Sequence, residues 1–185
     1  QVQRIQLYEE LTYENEPKCA DVNPVLQTKL DAKASKLVYI KYHSPFPSGG
    51  TLYNQSKNDV DSRIQYYGIS STPTGVHDGQ QKAYPLNFSQ DSINTHYLAL
   101  SPFKLILTPT LTNKGDSLYV NAQVVVLTTC TIPDLKLRLA VVEKTMNFKQ
   151  APGTNGERTF TSVVTTILAP ADGKDIIDTP NVNYT

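Results

Sequence analysis

Two cysteines, Cys19 and Cys130, and three histidines, His43, His77 and His96, are the side chains whose types could supply a nucleophile, a metal ligand or a proton carrier. The cysteines lie far apart, and neither stands in a Cys-x-x-Cys pair or in a Cys/His cluster of ligand spacing. Structural zinc and a disulfide framework are therefore not expected. The histidines fall on separate stretches, so a shared metal or acid–base trio would need the fold to gather all of them. Ordinary surface or hydrogen-bonded histidines are the expectation, with no metal and no cofactor. No Gly-x-Ser-x-Gly, phosphate loop or supported Ser/His/Asp arrangement is present. Bulk charge points to no partner either. Lys and Arg total 17, as do Asp and Glu, and a net charge of +0 argues against nucleic acid. No uncharged apolar run approaches the roughly 18 residues of a membrane span.

The elements that would position these groups change in texture along the chain. Arg4 to Glu10 reads as a strand. From Cys19 to about Ser35, Val22, Val25, Leu26, Leu30 and Ala34 form the stripe of an amphipathic helix, with Pro24 early in it. Leu37 to His43 is rich in β-branched and aromatic residues and closes a βαβ unit. A long irregular stretch, Ser44 to Ser56, contains Pro45, Pro47, Gly49 and Gly50. Asn58 or Asp59 can then cap a helix that runs through Tyr67 and stops at Gly68. Thr72-Pro73-Thr74 and a short strand ending in the Asp78-Gly79 turn follow.

From Phe103 onward the pattern is strand and turn without helices: Phe103 to Thr112, Ser117 to Thr128, Leu135 to Thr145 and Arg158 to Leu168. That spacing predicts an antiparallel β-sandwich. About seven strands are needed for one, so the sandwich is expected to be incomplete here, finished by further residues or by a partner chain. The boundary is placed between residues 1–101 and 102–185.

The order strand, Cys-headed helix, strand, helix, Thr-Pro-Thr, hairpin resembles a thioredoxin-like domain. More specific wording includes Leu7-Tyr8-Glu9-Glu10-Leu11-Thr12, Asn23-Pro24, Tyr42-His43, Leu52-Tyr53-Asn54-Gln55 and Asp61-Ser62-Arg63-Ile64-Gln65-Tyr66-Tyr67-Gly68. With Val163-Val164-Thr165-Thr166-Ile167-Leu168-Ala169-Pro170 and Gly173, it resembles the Omp28-related envelope proteins of the Bacteroidetes. That resemblance implies an α/β thioredoxin-like domain followed by an immunoglobulin-like antiparallel β-sandwich. It also implies that Thr72, Pro73 and Thr74 form a cis-proline loop beside a redox turn. In redox-active relatives two cysteines flank that turn, whereas here it reads Glu16-Pro17-Lys18-Cys19. A carboxylate cannot attack a disulfide sulfur, and a single resolving thiol cannot close a dithiol cycle.

The resemblance thus implies a non-catalytic binding or structural accessory of the periplasm, outer membrane or cell surface. Its partners would be other envelope proteins in a larger complex, with no transmembrane segment, and any membrane association would be peripheral or lipid-anchored through residues ahead of Gln1. The enzymatic alternative is a monothiol oxidoreductase or thiol-dependent peroxidase using Cys19, whose thiolate Lys18 and the helix N-terminus would favour. Cys130 reads as a free strand thiol. Tyr39, Tyr42, Tyr53, Tyr66 and Tyr67 read as core packing with an interface share. Asp91-Ser92-Ile93 and Asp116-Ser117-Leu118 fit the Asp-Ser-aliphatic pattern of periplasmic O-glycosylation in that phylum, making Ser92 and Ser117 candidate acceptors.

Overall fold

Residues 1–128, 134–168, 172–176 and 183–184 are described by a computed structural model. Cys130 and the Ala169-Pro170 pair lie outside them. In chain order the first half holds β1 (Val2–Gln3), β2 (Gln6–Thr12), α1 (Pro17–Asp31), β3 (Leu37–His43), α2 (Thr51–Gln55), α3 (Lys57–Tyr67), β4 (Thr74–His77), β5 (Gln81–Ala83), α4 (Gln90–Tyr97) and β6 (Leu100–Ser101). The second half holds β7 (Phe103–Leu111), β8 (Leu118–Val126), β9 (Lys136–Leu137), β10 (Leu139–Asn147), β11 (Thr159–Leu168), β12 (Lys174–Asp175) and β13 (Asn183–Tyr184).

The result is a mixed α/β architecture around a six-stranded sheet of order β10-β11-β3-β2-β4-β5. β2 and β3 run parallel from Gln6↔Leu37 to Thr12↔His43, and β4 and β5 add antiparallel. β2 is central and almost wholly buried, flanked on both edges and covered on both faces. On one face Tyr8 packs against Val22, Leu26 and Leu30 of α1 and Ile93 of α4. On the other, Leu11, Ile40 and Tyr42 pack against Val60 and Tyr67 of α3.

Local chemistry explains the element ends. Pro17 opens α1 where its missing N–H costs nothing, and the Glu16 side chain caps it by accepting from the Lys18 N–H. The helix thus begins two residues before the expected Cys19 and ends at Asp31 rather than near Ser35. Val25 points outward, at 47% exposure, so the buried stripe is Cys19, Val22, Leu26 and Leu30. α3 stops at Gly68, whose φ of +60° is the left-handed conformation glycine adopts freely. Its start corrects the expected capping residues: Lys57 leads, after Ser56, and no side chain caps it. Asp59 instead accepts from the Ile167 backbone N–H at 2.9 Å, tying α3 to the far end of the chain. The stretch from Ser44 to Ser56, expected to be irregular, holds α2, because Leu52 and Tyr53 bury themselves.

The second half is where the architecture departs most from an autonomous sandwich. β10 and β11 form an antiparallel hairpin, as strand-and-turn texture suggests, and β11 lies parallel to β3 at Val163↔Lys41. The sheet therefore runs across residue 101, because β3 offers an open edge and β11 brings Val164 and Ile167 into the core on the α3 face. β7, β8 and β13 form a separate three-stranded sheet in the order β13-β8-β7. Val124 and Val126 of β8 are buried, whereas its other end, with Leu118 and Tyr119, is exposed. Among the described residues no helix is long and apolar enough to cross a membrane.

Candidate functional site

The turn leaving β2 runs through Tyr13, Glu14 and Asn15 to the Glu16 cap, and one helical turn later Cys19 points inward with no exposed surface. Thr12, the Tyr13 backbone and Thr72 hydrogen-bond its sulfur. Burial nevertheless pushes the thiol up to about 11, and the nearby Glu10 carboxylate adds to that, outweighing these hydrogen bonds. The Thr72–Pro73 peptide is cis, and Thr72, Pro73 and Thr74 sit just ahead of β4, with Thr72 against Cys19. Of the Glu16–Cys19 turn and the Thr72–Thr74 loop, Cys19 and Thr72 are the residues brought into contact.

Below the thiol, Glu10 is completely buried and 3.7 Å from the Lys41 ammonium, itself buried. Burial raises the Glu10 carboxyl to about 7, the Lys41 charge pulling the other way. Neither carboxylate oxygen has a hydrogen-bond partner among the described residues. One layer further, His43 Nδ1 lies 3.0 Å from Glu14 Oε2, and Glu14 Oε1 accepts from the Leu52 N–H. Burial works against the Glu14 carboxylate, but those hydrogen bonds hold it below the usual carboxyl value.

A cover comes from the other half of the chain. The loop between β10 and β11 lies across the turn: the Asn155 N–H donates to the Glu14 carbonyl at 3.1 Å, and the Thr154 N–H donates to Asn15 Oδ1 at 2.8 Å. Asn23 on α1 donates to Glu157 at 2.7 Å, closing the far side. Gly153 is required here, since a Cβ at that position would overlap the Glu14 carbonyl.

The histidines divide. His43 stays apart with Glu14, but His77 and His96 stack, with ring centroids 4.9 Å apart and planes at 13°. Asp78 joins them, its Oδ2 lying 3.4 Å from His96 Nδ1, and the ligand-type atoms of the three fall within 4.8 Å of one another. This pairing was not legible when the histidines were read as separate. The cluster suits a cation poorly. Arg4 occupies Asp78 Oδ2 at 3.0 Å, His77 Nε2 is engaged by Gln6 Oε1 at 2.6 Å, and parallel rings aim their in-plane lone pairs past a common point. Burial lowers the His77 pKa, favouring the neutral ring.

A further polar network that the sequence reading missed links Glu9 on β2 to Arg63 on α3 at 2.8 Å, with Tyr42 and Tyr67 donating to the same carboxylate. Of the tyrosine set, Tyr42, Tyr53 and Tyr67 are buried, while Tyr66 is 59% exposed. Ser117 is exposed in the β7–β8 turn, and Ser92 is half-buried within α4. The only sequence signal for Glu9, Glu10 and Lys41 was their place on two strands of a βαβ unit, since charged side chains there have nowhere to go but inward.

Comparison with known proteins adds the fold. No family model and no curated protein matches the chain. Among solved structures, HBP35 of Porphyromonas gingivalis superposes with a TM-score of 0.78 at 13% identity over 99% of this chain. The fold resembles that of HBP35. The chain spans 62% of the HBP35 chain. A protein of Agrobacterium tumefaciens, AGR_C_4864, matches with a TM-score of 0.61 at 10% identity, covering 98% of this chain and 78% of that one.

Proposed function

We propose that this chain is a non-catalytic binding or structural accessory of a bacterial cell envelope, built on a thioredoxin-like framework without its redox pair. The observation that carries this reading is the enclosed state of Cys19. Its thiol is sealed from solvent, its pKa is raised to about 11, and Glu16 stands where a dithiol enzyme needs its attacking sulfur. At neutral pH a thiol with that pKa is thiolate in roughly one molecule in ten thousand. The framework reading is supported by the parallel β2–β3 pair joined through α1, followed by α3, β4, β5 and α4. The neighbour from Porphyromonas gingivalis is compatible with an origin in the Bacteroidetes. An Omp28-related lineage, a periplasmic or surface location and membership of a larger assembly are parts of the same proposal. The apolar β7–β8 hairpin, with Leu107, Leu111 and Tyr119 each more than half exposed, favours a partnered state.

Iodoacetamide labelling, resolved at Cys19 by peptide mass, separates this reading from the monothiol enzyme. Cys19 should stay unmodified in the native protein at neutral pH and react only after denaturation. Rapid native modification, with peroxide or disulfide turnover that Cys19→Ser abolishes, would make Cys19 a working nucleophile and remove the proposal.

A further inference from the structure

On the α3 face of the main sheet, Leu7, Val38 and Ile40 line a groove together with Leu105 and Leu107 of the β7–β8 hairpin. The two faces do not close. They leave a groove of about 610 Å³, within the range typical of small-molecule sites. Register makes the opposing wall apolar along its length. Phe103, Leu105 and Leu107 of β7 pair with Val126, Val124 and Ala122 of β8 and share one face. These walls are wet: Val38, Leu105 and Leu107 are 54%, 62% and 58% exposed.

Around Tyr66 the lining of the groove is different in kind. Arg63 is 5% exposed and gives Nη2 to Glu9 and Tyr67, yet its Nε and Nη1 have no acceptor among the described residues. Arg138 also lines the groove, and its buried Nε likewise lacks an acceptor among the described residues. The two guanidinium carbons lie 4.8 and 4.6 Å from the same Tyr66 ring. Glu9 neutralises one guanidinium only. Two guanidinium groups with one carboxylate between them leave a net positive charge in the groove, which an anion presenting two oxygens would neutralise.

We propose that this groove binds one free long-chain carboxylate, its head on Arg63 and Arg138 and its chain between Val38 and Ile40 on one wall and Leu105 and Leu107 on the other. A peptide fits the same walls less well. Leu7, Val38, Ile40, Leu105 and Leu107 present side chains from sheet faces, so the N–H and C=O groups of a peptide laid on them would be buried against hydrocarbon without partners. An acyl chain has no such groups. The inference stands apart from the state of Cys19 and would survive failure of the accessory reading.

Titration calorimetry of the whole chain with submicellar octanoate, decanoate and dodecanoate tests it. Affinity should rise roughly 3- to 4-fold per added methylene. Dodecanol should bind at least ten-fold more weakly than dodecanoate. Arg138→Gln should erase that preference for the acid and leave dodecanol binding unchanged, while Leu107→Glu should abolish both, with native far-UV circular dichroism retained in each variant. Equal affinity for acid and alcohol, no binding at all, or dodecanoate binding that neither variant alters would overturn the proposal. So would a preference for phosphatidylglycerol vesicles over free dodecanoate, which would make the groove a membrane contact.

Discussion

Glu10 is a carboxyl group at the centre of the sheet whose nearest counterion, Lys41, sits 3.7 Å away without a hydrogen bond to it. Its pKa is raised to about 7 from 4.5, so between those values the folded chain holds a proton that the unfolded chain has released. The contribution of Glu10 to stability is therefore complete below about pH 4.5 and is lost as pH rises through 7. Urea unfolding at pH 5 and pH 8 should show a pH-dependent loss on the order of 1–3 kcal/mol that Glu10→Gln removes. The difference between the two proteins isolates Glu10, since His77, with its lowered pKa, gains stability in the opposite direction over the neighbouring window. An identical pH slope in both proteins would show that Glu10 is ionised in the fold. The sequence made the lone Cys19 near the head of α1 visible because an amphipathic stripe is a local signal, but not the Glu16 cap, which lies ahead of that stripe. It hid Glu10, Lys41 and the His77–His96 stack because burial of a polar strand residue depends on neighbours that are remote along the chain.

Elements were legible in proportion to how local their causes are. Leu37–His43 is read directly from its residues, and Gly68 and Asp78-Gly79 mark their own turns. The partner of β3 on its outer edge was not legible, because parallel pairing with β11 leaves no turn signal between Lys41 and Val163. The β10–β11 loop was likewise readable as a loop, from Pro152, Gly153 and Gly156, but not as a cover. Its role gives a prediction. Gly153→Ala forces a Cβ against the Glu14 carbonyl, so the loop must lift from Tyr13, Glu14 and Asn15. The variant should lose about 1–2 kcal/mol, and native iodoacetamide labelling of Cys19 should accelerate at least ten-fold. Lost stability with unchanged Cys19 labelling would mean that the thiol is sealed by α1 and the Thr72–Thr74 loop alone.

At the scale of the whole molecule, the two textures of the sequence share one sheet. Phe160, Val163, Val164 and Ile167 all sit in core clusters with residues of the first half. Removing a large buried apolar side chain typically costs about 2–5 kcal/mol, against a net domain stability of roughly 5–15 kcal/mol. A fragment of residues 1–101 should therefore show no cooperative thermal transition by circular dichroism. A sigmoidal melt close to that of the full chain would show that the first half is self-sufficient. The placement of β11 also sets a clock on biosynthesis. β3 is complete at His43, but its outer neighbour ends only at Leu168. At translation rates of about 5–20 residues per second, the nascent chain must wait on the order of 10 s with that edge open. During that interval it remains unfolded enough to be threaded through a narrow channel, or to be captured by a chaperone.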